Sequence, residues 1–83
     1  METFDLTIVS DSKILYAGSA LYCGVTTLKG SIGFEAFHEP FIGILKDGSS
    51  ITYLNSSKNE NNLAVKDGIV SFENNICTIT ASL

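Results

Sequence analysis

Hydrophobic and polar positions alternate along most of this chain with a period of two. In TFDLTIVS, Phe4, Leu6 and Ile8 alternate with Thr3, Asp5 and Thr7, the pattern of a strand with one face on a core and one in water. SDSK turns the chain, ILYAG resumes an extended pattern, and ALYCGVT continues it with Leu21, Cys23 and Val25 on one face and Ala20 and Tyr22 on the other. Gly18 and Gly24 are expected at bends or bulges. Further on, FIGIL reads as a strand, KDG as a turn, and SSITYL as a strand with Ile51 and Tyr53 on one face. The polar run NSSKNENN reads as a loop or hairpin tip. LAVKDG and IVSFEN follow, with Asp67 and Gly68 as a turn signal, and ICTITASL closes the pattern with Cys77, Ile79 and Ala81 inward.

No segment combines a capping residue with apolar positions at i, i+3, i+4 and i+7, so short strands at close spacing predict an all-β fold. The expected architecture is an antiparallel β-sandwich or flattened barrel, a single domain over residues 1–83. A chain of this size buries on the order of 60% of its unfolded surface, which places it near the lower limit of independent stability. A partner surface would help it.

Charge narrows the function classes. The net charge is −4, with five basic residues, all lysines and scattered, whereas a phosphate-reading surface needs clustered Lys and Arg. Nucleic acid is therefore excluded as a partner. Cys23 and Cys77 have neither CxxC spacing nor the density of a secreted disulfide scaffold, and their inward registers make them small buried hydrophobes in a reducing compartment. No apolar run approaches the ~20 residues of a membrane span, and the N-terminus lacks a signal-peptide pattern. Neither export nor direct lipid insertion is expected.

The stretch GSIGFEAFHEPFIGILKDG, residues 30–48, holds the only histidine and the only proline. Gly30 and Gly33 enclose Ser31 and Ile32 where positive φ or close backbone approach is expected, in a plain turn or an interface loop. Pro40 removes a donor and places the chain near an edge. Glu35, His38 and Glu39 could offer oxygen and nitrogen ligands, but their spacing matches no zinc motif. The glycines form no phosphate cradle, because no GK[ST] and no helix follow. With no arginine and one histidine, acid–base catalysis has few parts; neither a catalytic residue, a cofactor nor a metal is assigned.

In order and spacing these residues resemble the amino-terminal β-sandwich domain of the epsilon subunit of F-type ATP synthases. That family's frame of Gly-Glu-Leu-Gly, four residues, His-Ala-Pro, a strand and Lys-Pro-Gly stands here as GSIG, FEAF, HEP, FIGIL and KDG, without insertion or deletion. The likeness continues through VSDSKILYAG and VKDGIVSFENNICTITA. Departures mark a divergent member: Ser31 replaces an acid, Ala36 and Phe37 replace Pro-Gly, and Asp47 replaces proline. Family members commonly continue into two carboxy-terminal helices, which lie beyond the pattern ending at Leu83.

The resemblance implies a non-catalytic rotor subunit of the central stalk, which couples proton-driven rotation to ATP synthesis. Its partners would be the gamma subunit and the ring of c subunits, peripheral to the cytoplasmic face of the inner membrane. His38, Pro40 and Phe41 would lie toward gamma, and the loop Gly30, Ser31, Ile32 and Gly33 toward the c ring. Binding energy would come from apolar surface on one sheet face, with polar loops setting register. The alternative is a stand-alone β-sandwich binding or adaptor module that shares the frame without the partners.

Overall fold

The computed structural model describes residues 2–83. Eight strands run in chain order: β1 (Phe4–Ser10), β2 (Lys13–Thr27), β3 (Gly30–Phe34), β4 (Phe41–Leu45), β5 (Ser50–Asn55), β6 (Glu60–Ala64), β7 (Asp67–Glu73) and β8 (Ile76–Ser82). Among the described residues there is no helix, so the all-β expectation holds.

The 15-residue β2 organises the fold. One of its edges carries β1 and then β3; the other carries β5 and, at Thr27, β4. From β4 the sheet continues through β7 and β8 back to β1, which closes a flattened barrel. The β1–β8 ladder is parallel, with Leu6 opposite Cys77 and Ile8 opposite Ile79, so the sandwich is antiparallel everywhere except where the two ends of the chain meet.

Two extra residues in β2 correct the expected phase. Leu15 has no partner between the Ile8–Tyr16 and Val9–Ile14 pairs, and Leu21 has none between Ala20–Asn55 and Tyr22–Leu54. Each such bulge shifts the alternation by one position. Ala20 and Cys23 therefore both face the core, although they stand three apart. The bulges thus lie at leucines rather than at Gly18 and Gly24. Gly24 and its partner Gly33 instead leave room for the Tyr22 ring, whose hydroxyl would lie 2.7 and 2.6 Å from a Cβ at either position.

Turn chemistry explains most of the connections. Asp11 and Ser12 have φ of 49° and 63°, and Asn74 and Asn75 have 52° and 61°, the paired left-handed residues of two-residue hairpins. The KDG turn forms as expected, with Gly48 at φ 76° and Ser49 donating to the Lys46 carbonyl. Asp67 and Gly68 do not turn. They open β7, and a Cβ on Gly68 would meet the Thr80 carbonyl at 2.5 Å, so close packing accounts for this glycine. The polar run after Asn55 is a loop only as far as Asn59; Glu60–Ala64 pairs with β5 as an edge strand.

The core is one cluster in which Phe4, Phe34 and Phe72 are the largest buried side chains. Phe34 and Phe72 stack at 5.4 Å with planes 6° apart, and Phe4 meets Phe72 edge-on at 5.4 Å. Each such burial is worth about 1.5–3 kcal/mol from solvent transfer. Cys23 and Cys77 are both free and buried. A hydrogen bond to Cys77, together with burial, pushes the Cys23 thiol far above its usual range, so both behave as core side chains.

Candidate functional site

The two candidate segments lie at opposite ends of β4. Phe41 opens the strand beside Phe72, near the Asn74–Asn75 turn, while Leu45 closes it opposite Thr27, beside the β2–β3 hairpin tip. Between them β4 directs alternate side chains outward.

At the first end the chain leaves β3 at Phe34 and crosses to β4 through residues 35–40. A turn is set by the His38 amide donating to the Glu35 carbonyl at 3.2 Å. The His38 ring packs edge-on against Phe34 at 4.8 Å and Phe72 at 5.6 Å, capping the aromatic stack. Its Nδ1 lies 2.7 Å from the Glu39 carbonyl, and because a carbonyl only accepts, Nδ1 carries the proton. Phe41 is half-buried against Phe34 at 5.8 Å, and Pro40 is exposed.

Phe37 sits at φ 64° with its ring 68% exposed. That left-handed conformation suits glycine and strains a bulky residue, which gives the Gly-to-Phe departure noted in the sequence a physical meaning. Asn75 holds this segment from 38 positions away: its Oδ1 accepts from the Phe37 amide at 2.7 Å, and its Nδ2 donates to the Thr3 carbonyl at 2.9 Å. Sequence reasoning missed Asn75. The only available signal was the Asn-Asn pair between two alternating runs, which marks a hairpin but not its long-range bonds.

At the second end, the expected loop Gly30–Gly33 is the edge strand β3, paired with β2 throughout. The actual tip is Leu28 and Lys29, because Gly30, at φ 118°, lets the chain re-enter the sheet at once. Thr27 Oγ1 closes the tip, donating to the Gly30 carbonyl at 2.9 Å and accepting from the Lys29 amide at 3.1 Å. Gly30, Ser31 and Gly33 are exposed, while Ile32 packs partly on the core.

Joining the two ends is a row of outward apolar side chains that no single residue had signalled. Ile42 is 74% exposed, Ile44 56%, Ile69 52% and Leu28 66%. Ile44 and Ile69 are directly paired across β4 and β7, and the Leu28 amide donates to the Ile44 carbonyl at 3.0 Å, which joins the hairpin tip to the row. FIGIL shows the cause: Phe41, Gly43 and Leu45 take the inward register, so both isoleucines must point out. A groove of about 460 Å³ runs between this row and the tip, lined by Leu28, Ile32, Phe41, Ile42 and Ile44. Among the described residues no group of three or more His, Cys, Asp or Glu side chains gathers at a metal-sized point, and no helix is long and apolar enough to cross a membrane.

A β-barrel flattened in this way, with an apolar row exposed between two structured ends, defines an all-β sandwich domain. The family described as the ATP synthase delta/epsilon chain β-sandwich domain matches residues 3–82, and the chain belongs to that family. It is similar to the ATP synthase epsilon chains of Neisseria meningitidis serogroup C, at 24% identity over 83 residues, and of Neisseria gonorrhoeae, at 25%. In both cases all of this chain aligns with 59% of the relative. The chain thus spans about three-fifths of the length of the curated relatives it matches. Among solved structures, a chain of the Euglena gracilis mitochondrial ATP synthase OSCP/F1/c-ring assembly matches 95% of this chain and 50% of its own, at TM-score 0.88 and 15% identity. A chain of the Tetrahymena thermophila mitochondrial ATP synthase central stalk/c-ring matches 99% and 65%, at TM-score 0.75 and 17% identity. At these identities the structures establish the shared fold.

Proposed function

We propose that this domain is a non-catalytic part of the central stalk of a proton-translocating ATP synthase, binding the gamma subunit and resting on the c ring so that rotation and ATP synthesis stay coupled. It would be peripheral to the membrane through that complex. The observation that carries the reading is the exposed row Ile42, Ile44, Ile69 and Leu28, which the segment His38, Pro40 and Phe41 leads into along the chain. Apolar side chains desolvated together suit the buried core of an interface, which is more apolar than its rim. Gamma is the occupant that membership of the epsilon family suggests for this row.

The Gly30–Gly33 strand and its tip stand at the other end of β4, where the c-ring contact belongs in the same reading. Ser31 shapes that contact: its Oγ lies 3.4 Å from Thr26 Oγ1, a neutral polar pair where the family carries an acid. The domain would pass torque mechanically and hydrolyse nothing.

Mixing the 83-residue chain with its gamma subunit and measuring stoichiometry by light scattering tests the reading. A 1:1 complex is expected. Its absence at tens of micromolar would favour the stand-alone adaptor, as would failure of the chain to restore proton-coupled ATP synthesis in epsilon-depleted enzyme.

A further inference from the structure

The Phe37–Phe41 segment lies on the surface, and the proposed gamma contact needs it held in one conformation. Its internal bonds are few: the His38 amide to the Glu35 carbonyl and His38 Nδ1 to the Glu39 carbonyl, both local. Phe37 adds strain, because its φ of 64° is a conformation that a bulky side chain leaves readily unless something outside the segment over-determines it. The ring does not supply that hold, being 68% exposed.

We infer that Asn75 is the positioning residue for this surface. Its carboxamide has both polar atoms engaged, Oδ1 with the Phe37 amide at 2.7 Å and Nδ2 with the Thr3 carbonyl at 2.9 Å. Its own carbonyl accepts from the Asp5 amide at 3.1 Å. One residue therefore ties the segment to the start of β1 and to the β7–β8 hairpin. The 2.7 Å contact fixes the Phe37 backbone in its left-handed state, and with it the direction in which His38, Pro40 and Phe41 enter β4. A segment set in advance loses less freedom on binding. The inference rests on the gamma reading, and it adds a residue outside the contact surface that controls that surface.

Two substitutions separate positioning from a plain turn role. Asn75 has φ 61°, which glycine adopts freely, so Asn75→Gly keeps the hairpin and removes both side-chain bonds. Asn75→Asp keeps an acceptor for the Phe37 amide and loses the donor to Thr3. Titrating gamma into each variant by calorimetry should show Asn75→Gly weakened about fivefold, the value of one lost hydrogen bond, and Asn75→Asp closer to wild type. If only the turn mattered, glycine would be the better replacement. Wild-type affinity in Asn75→Gly, or equal losses in both variants, would overturn the inference.

A measurement on the unsubstituted chain guards against a variant that does not fold. The Phe37 amide should exchange with solvent at least tenfold slower than a free amide, although its residue is exposed; free-amide exchange would equally overturn the inference. Failure of the wild-type chain to bind gamma at all would instead remove the gamma reading and leave the exchange result standing as the test of Asn75.

Discussion

Two outward faces of the same sandwich differ sharply. On β4 and β7 the outward positions are Ile42, Ile44, Ile69 and Ser71, with Asp67 and Glu73 at the two ends of β7; on β5 and β6 they are Ser50, Thr52, Leu54, Glu60, Asn62 and Ala64. The second face settles its own polar groups: Thr52 Oγ1 donates to Asn62 Oδ1 at 2.6 Å, and Asn55 Oδ1 accepts from the Ser57 and Asn59 amides at 3.0 Å each in the connecting loop. The β6 edge is short and rich in asparagine, as an edge facing water should be. The first face has no such covering. Scattered surface leucines need no explanation, whereas the contiguous row across two paired strands is the surface proposed for the contact.

Four outcomes would break or sharpen this contrast. The largest concerns the core that both faces share. Phe34→Ala removes a fully buried ring that touches His38, Phe41 and Phe72, at a cost of about 3–5 kcal/mol. Chemical denaturation should show both faces lost in a single transition. Two transitions would mean that the faces belong to separately stable units.

Next is the contrast itself. Ile42→Asp with Ile44→Asp should weaken gamma binding by about 2 kcal/mol or more while shifting stability little, because both side chains are exposed. Thr52→Asp with Asn62→Ala should leave affinity unchanged. Equal effects from the two pairs would erase the distinction between the faces.

A third outcome concerns pH. Folding raises the Cys23 thiol above its ordinary value of 9.0 through the hydrogen bond to Cys77 and through burial. A raised folded value means that the native state keeps its proton where the unfolded chain has lost it. The stabilisation is therefore complete below about pH 9 and declines above it, by about 1.4 kcal/mol per pH unit. Urea denaturation at pH 8 and pH 10 should show this loss, and Cys23→Ala should flatten it. The smallest effect is at Phe37: glycine there accepts φ 64° without strain, so Phe37→Gly should raise stability by up to about 1 kcal/mol in thermal melts.

The sequence disclosed what depends on neighbours along the chain. Alternation in FDLTIVS and ICTITAS set the inward residues correctly, since no bulge interrupts either strand's inward register. It failed in β2 because Leu15 and Leu21 are extra residues whose place is fixed by partner strands rather than by local pattern. GSIG read as a loop because glycine signals a turn, whereas Gly33 is there to make room for Tyr22 from the neighbouring strand. The His38 segment was picked out as a candidate, but its hold by Asn75 spans 38 positions and leaves no periodic trace.

The most direct test of the central claim is amide hydrogen exchange on the 83-residue chain with and without its gamma subunit. Slowed exchange concentrated in residues 37–45 and 68–71, with residues 50–64 unchanged, is the predicted result. Protection of residues 50–64 while 37–45 exchanges as in the free chain would contradict it.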